Sequence, residues 1–354
     1  MKIYPDTLIY KEHTFSRKEC RECSATFWHT LDDVTFCGSD KCNRMQLKSN
    51  VTDINLTLPK LISQYNSYFL SHKDTLFKRT HIMIRPRMSV KHTTTNMHFL
   101  CAGVSAYESL SSPDALRLNH FARDLFVSNI FCFRFLDRAN VGATKTHSTG
   151  FFMAGLHCFE GESKFNADWK ASGVNLILSY FIDCLKFDPS TLYLHADSWS
   201  DGKKGGPSVE LYIGGLELAN CVFTERDIES DSPLQNRYID VGIGIERILR
   251  LITTKDSLYF NNPDYDHLRT IIVGFKDKLY PSKIGVGYNL RKLCEAVLKR
   301  YQQDMPRLES DLRLVYAELD SLLPGENFQD QTEILRSLSL MKDELNRCMS
   351  SHIL

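Results

Sequence analysis

Four cysteines near the start of the chain fall in two pairs, Cys20-x2-Cys23 and Cys37-x4-Cys42, separated by the strand-like SATFWHTLDDVTF. Two knuckles joined by a hairpin can bring four thiolates to one tetrahedral Zn2+, a closed site that holds a fold and does no chemistry. Further on, Arg134 sits in the apolar run IFCFRFLD. A guanidinium there is costly unless it meets an anion, either a phosphate or a carboxylate. Asp137 is the plainer partner, although strand alternation sets positions 134 and 137 on opposite faces. A third segment, DVGIGIER, runs from Asp240 through Gly242 and Gly244 to Arg247. It reads as a strand entering a helix whose first turn carries an arginine, an arrangement suited to an anion. The dinucleotide-binding fingerprint does not apply, because Arg247 stands where its third glycine is needed. Last comes Trp199-Ser-Asp-Gly-Lys-Lys-Gly-Gly-Pro207, leading into SVELYIGGLELANCVF. Taken alone, such a loop is an ordinary turn and such a tryptophan an ordinary core residue.

These groups need a large scaffold, and 354 residues with 43% apolar content supply one without disulfides. Lys and Arg number 43, as do Asp and Glu. That balance excludes a protein holding nucleic acid mainly through a global basic field, so DNA is not an expected partner. No apolar run approaches the roughly 20 residues that span a bilayer, and MKIYPDTLIYKEHTFSRK lacks a signal peptide's apolar stretch. The other seven of the eleven cysteines are scattered through segments such as HFLCAG and FIDCLKF and read as reduced, buried thiols. A cytoplasmic setting with no membrane partner is expected.

Helical periodicity marks LPKLISQYNSYFLSHKDTLF and the segment Asn166 to Phe187, with Asn166 as the expected N-cap. Strand signals fall in IFCFRFLD, STLYLHAD, VELYIGGLELANCVF and RYIDVGIGI. Meandering strands with helices between them predict an α+β domain on an antiparallel sheet. After Thr253 the pattern turns helical, with Pro306 and Pro324-Gly325 as expected breakers. The expected domains are 1–57 (a zinc-ribbon-like segment), 58–253 and 254–354 (helical). Lys276 to Arg300 is locally basic; a solvated helix face explains most such stretches, and an RNA-facing surface is the sharper reading.

In this order, FSRKECRECSATFWHTLDDVTFCGSDKC, CFRFLDRANVGATKTHSTGFFM, ADSWSDGKKGGPSVELYIGGLELANCVF, IDVGIGIERIL and PSKIGVGYNLRKL resemble the catalytic region of archaeal-type alanyl-tRNA synthetases, class II aminoacyl-tRNA synthetases. The resemblance covers most of residues 10 to 300. It implies the class II antiparallel sheet flanked by helices, with a shortened tRNA-recognition region behind it. By this resemblance Arg134 contacts the ATP α-phosphate and Arg247 grips the far end of a bent triphosphate, the two being the catalytic pair. Asp137, His147, Glu217 and Gly244 join the ATP contacts, Glu217 as a plausible Mg2+ ligand. Asp240 takes the substrate ammonium, Trp199 lines the small amino-acid pocket, and Asn220 and Gly242 border it. Cys20, Cys23, Cys37 and Cys42 hold structural Zn2+.

The resemblance also has gaps. The loop after NVG reads ATKTH, so Ala143 and Thr146 stand where the family has arginines, and TGFFM replaces TFFEM. No HxxxH editing motif is present, and Cys348-x3-His352 is a chance echo of its companion. The chain thus reads as a truncated paralogue without editing and C-terminal domains. The expected function is ATP-dependent activation of a small amino acid, alanine foremost, to an aminoacyl-adenylate with transfer to tRNA through the 276–300 region. Two alternatives are delivery to another acceptor, a carrier protein or small amine of specialised metabolism, and a non-catalytic binding paralogue.

Overall fold

A computed structural model describes residues 5–39, 42, 56–71, 78–84, 103, 124–144, 146–161, 164–253, 262–285, 287–301, 304–323 and 331–350. Pro324-Gly325 and His352 lie outside these residues. The chain divides into two compact units. One comprises residues 1–85, 102–130 and 153–254, and the other 86–101, 131–152 and 255–354.

Ten strands form one sheet: β1 (Thr7–Tyr10), β2 (His13–Glu19), β3 (Thr26–His29), β4 (Lys78–Ile84), β5 (Asp124–Phe133), β6 (Gly150–Phe159), β7 (Tyr193–Ser200), β8 (Lys204–Ile213), β9 (Leu216–Asp227) and β10 (Pro233–Gly244). Their order is β1-β2-β3-β7-β8-β9-β10-β6-β5-β4. From β1 through β2, β3, β7, β8, β9 and β10 to β6 the pairing is antiparallel, and β4 joins β5 in parallel at one edge. The expected α+β architecture on an antiparallel sheet is what the chain forms. Its first unit carries α1 (Leu58–Ser71), α2 (Trp169–Leu178) and α3 (Ile245–Ile252). In α3, Ile245, Ile248, Leu249 and Ile252 recur at helical spacing and are all buried. No helix among the described residues is long and apolar enough to cross a membrane.

The second unit holds α4 (Pro263–Lys276), α5 (Gly287–Tyr301), α6 (Met305–Leu322) and α7 (Gln331–Ser350). α4 opens on Asn262, whose side chain accepts from the amides of Asp264 and Tyr265, with Pro263 in its first turn. From Asp266 to Phe275 every residue of α4 is buried.

One local expectation is corrected. The helix after Asn166 begins at Trp169, and Asn166 instead accepts the Asp168 N–H at 3.2 Å, forming a turn ahead of the helix. Pro306 marks the division between α5 and α6 as expected, standing in the first turn of α6, where Asp304 caps the Arg307 amide and a missing proline N–H costs nothing.

Candidate active site

In the first unit, antiparallel register sets the polar groups of four strands on one face of the sheet. His195, Glu210, Asn220 and Gly242 lie side by side across β7, β8, β9 and β10. The neighbouring row reads Asp197, Ser208, Val222, Asp240 and, on β6, His157. Intervening residues Val209, Leu211, Cys221, Val241 and Ile243 are buried on the other face, whereas Glu210, Asn220 and Gly242 stay half-exposed. This alternation makes a polar floor above an apolar core.

Asp240 is 7% exposed, and its Oδ1 lies 3.0 Å from Nδ1 of the buried His157. Asn220 Oδ1 is buried and has no hydrogen-bond partner among the described residues. It therefore sits beside Gly242, one row from the Asp240 carboxylate, with an acceptor to spare. Trp199 is half-buried on β7, two residues beyond Asp197. Three strand spacings, about 14 Å, separate β7 from β10, so Trp199 borders the far side of the floor.

Arg247, in the first turn of α3, donates from Nη1 to the Glu217 carbonyl at 2.9 Å and to Glu217 Oε2 at 3.2 Å. A side chain on Gly244 would press on the Arg247 stem, its Cβ 3.2 Å from Cδ, so the glycine clears the way for that arginine. Glu210 is pushed up to about 7, first by burial and then by the Glu217 carboxylate, with Asp197 adding to it. Tyr212 donates to Glu210 Oε2 at 2.9 Å, and the His195 ring stacks on Tyr212 with centroids 4.3 Å apart. Sequence reasoning missed Glu210 and His157: Glu210 lay in a stretch read only as a strand, and the strand that carries His157, β6, was not among the strand signals.

The Sγ atoms of Cys20, Cys23, Cys37 and Cys42 all lie within 4.8 Å of one another, also in the first unit. Cys23 and Cys37 are 3.8 Å apart, the edge of a tetrahedron with Zn–S bonds of about 2.3 Å. Burial alone would raise the Cys20 thiol, but main-chain N–H groups of Cys23, Glu22 and Cys37 bring it down to about 7. The donor set fits one soft tetrahedral metal ion. Cys132, Cys158, Cys221 and Cys294 are buried and stand in no disulfide among the described residues, as expected.

Arg134, Asp137 and His147 belong to the second unit, the other candidate ligands to the first. Arg134 does not sit within a strand. β5 ends at Phe133, and Arg134 enters the 3-10 turn Phe135–Ala139 because the chain bends there, at φ −132° and ψ 70°. Its guanidinium is half-buried over the Phe151 ring, 5.0 Å from the centroid. Asp137 reaches it through the backbone, donating its N–H to the Arg134 carbonyl at 3.1 Å. His147 Nδ1 lies 2.6 Å from the Thr144 hydroxyl and 3.3 Å from that of Thr146. In the 276–300 stretch, Lys292 pairs with Glu295 at 2.7 Å, Arg291 with Glu344 at 2.8 Å and Arg300 with Asp264 at 2.9 Å. Much of that local basicity is thus neutralised within the unit.

No protein-family profile matches the chain. Among curated proteins it is similar to archaeal alanine–tRNA ligases. It is 24% identical to that of Methanocella arvoryzae over 365 residues, covering 82% of this chain and 41% of the ligase. The Nitrosopumilus maritimus ligase is 24% identical over 420 residues, 96% of this chain and 45% of the relative, and that of Methanococcus aeolicus 28% over 248 residues, 68% and 26%. The chain thus spans less than half the length of these relatives. Among solved structures, pyrrolysyl-tRNA synthetase from Desulfitobacterium hafniense aligns with 58% of this chain and 75% of its own, at 13% identity and a TM-score of 0.40. This similarity to the archaeal alanine–tRNA ligases is in line with the motifs that resemble them.

Proposed function

We propose that the chain activates a small amino acid, alanine foremost, with ATP to an aminoacyl-adenylate and passes the aminoacyl group to tRNA. The observation that carries this reading is the pairing of a buried, unpartnered Asn220 Oδ1 with the Asp240 carboxylate one row away, beside Gly242. Two oxygen acceptors in adjacent rows on one face of the sheet suit a substrate ammonium. The likeness to alanine–tRNA ligases supports the rest.

Adenylate formation brings the amino-acid carboxylate in line against the α-phosphate while pyrophosphate leaves. Both reactants are anions, so positioning and charge neutralisation carry the rate, without a covalent enzyme intermediate. In this reading Arg134 meets the α-phosphate, with Asp137 and His147 beside it, and Arg247 meets the far end of the triphosphate. Arg247 uses one terminal nitrogen on Glu217 and, among the described residues, keeps the other for an anion. Glu217 and Glu210 would hold Mg2+, their hard carboxylate oxygens suiting a charge that offsets the triphosphate. Cys20, Cys23, Cys37 and Cys42 would hold Zn2+, which ties down the N-terminal knuckles. Trp199 limits side-chain size, while one methyl distinguishes alanine from glycine by only about 1–3 kcal/mol. A cytoplasmic setting and a tRNA contact through residues 276–300 go with this reading.

Pyrophosphate exchange tests it. Purified protein should return labelled pyrophosphate to ATP only when a small amino acid is present, and Arg247→Ala or Asp240→Ala should abolish the exchange. Charging of total tRNA in the same preparation tests the acceptor. Failure to exchange with every standard and nonstandard amino acid tried would leave a binding paralogue instead of an enzyme.

A further inference from the structure

We propose that Asp266, a residue outside every motif read from the sequence, positions Arg134 for the triphosphate by fixing the strand end that faces it; this rests on the reading of Arg134 given above. Asp266 is fully buried in α4. Its Oδ1 accepts the Thr149 main-chain N–H at 2.9 Å, and its Oδ2 accepts the Thr149 hydroxyl at 2.5 Å. Thr149 in turn offers its carbonyl to the Arg134 N–H at 2.8 Å. A single carboxylate therefore holds, through two hydrogen bonds, the residue whose backbone holds Arg134.

The neighbouring groups of α4 tighten the same joint. His267 Nδ1 lies 3.0 Å from Asp266 Oδ2, and the Thr270 hydroxyl lies 2.9 Å from that of Thr149. The buried Arg269 donates to the Gly150 carbonyl and lies over the Phe131 ring, 5.7 Å from its centroid. Residues on both sides of the 135–148 segment are thus tied to one helix. Buried ionic clusters seldom outdo apolar packing in stability. What this one supplies is direction: it specifies where one amide and one carbonyl must lie, and a misplacement of about 1 Å at a reacting group costs on the order of 100-fold.

The test uses the whole chain carrying Thr149→Val, Thr149→Ser, Asp266→Asn or, as reference, Arg134→Ala. ATP KM and amino-acid KM are read from pyrophosphate exchange, ATP binding from calorimetry, and folding from urea melts. Thr149→Val keeps the shape but removes the hydroxyl; it and Asp266→Asn should raise ATP KM and weaken ATP binding by about 10- to 100-fold, with amino-acid KM unchanged. Thr149→Ser, which keeps both hydrogen bonds, should bring ATP KM back towards that of the unsubstituted chain. A merely structural joint would lower the urea midpoint and the active fraction while ATP KM stays put, and that result overturns the proposal. If Asp266→Asn does not fold, Thr149→Val decides. Should Arg134→Ala weaken ATP binding while Thr149→Val does not, the positioning role alone falls. Should Arg134→Ala bind ATP as the unsubstituted chain does, the reading of Arg134 falls and the positioning role with it.

Discussion

Glu210 shares its surroundings with the Glu217 and Asp197 carboxylates, and burial together with these neighbours lifts it to about 7. A carboxyl raised above its ordinary 4.5 stabilises the fold fully below that value, and the contribution is lost as pH climbs through about 7. Glu210→Gln should therefore melt higher than the unsubstituted chain at about pH 8 and lose less stability between about pH 5 and 8, as thermal melts across that range will show. If Asp240 takes the substrate ammonium, replacing its carboxylate by a carboxamide removes a charge-assisted hydrogen bond of about 1.5–3 kcal/mol, so Asp240→Asn should raise amino-acid KM about 10- to 150-fold while ATP KM holds. Exchange kinetics with each substrate varied separately will read both. Asp240, Arg247 and Asn220 entered the reading because each sits in a stretch that resembles an alanyl-tRNA synthetase motif. Glu210, His157 and Asp266 were not, because their meaning comes from partners 7, 83 and 117 positions away in the chain.

At the level of elements, β7 to β10 were legible from short runs rich in β-branched and aromatic residues, and the helices from their periodicity. Their ends were less so. Asn166 and Pro306 carry residue types that serve at a turn, a cap or a first helical turn alike, and only the flanking hydrogen bonds decide among these. Gly150 shows what a strand can conceal: a Cβ there would stand 2.4 Å from the Thr270 hydroxyl oxygen and 2.5 Å from the Phe131 ring. Gly150→Ala should destabilise the second unit by about 1–3 kcal/mol through overpacking, measured as a lower urea midpoint with unchanged slope.

For the molecule as a whole, composition and charge excluded a global basic field but could not say which cations face solvent. Arg291, Lys292 and Arg300 pair with carboxylates, whereas Lys278, Lys283 and Lys299 have no carboxylate partner among the described residues. If tRNA is held through residues 276–300, alanine at each of these three lysines should reduce the salt slope of tRNA binding by about 1, and Lys292→Ala should leave it nearly unchanged. Filter binding over a range of salt will separate them. The cysteine knuckles, finally, are joined to the polar floor: the Cys37 carbonyl meets the His195 ring, His195 stacks on Tyr212, and Tyr212 hydrogen-bonds to Glu210. If the chain forms the adenylate and the four thiolates hold a metal ion, mild peroxide or a chelator should lower pyrophosphate exchange, and a urea melt of the same sample will tell this from loss of the fold.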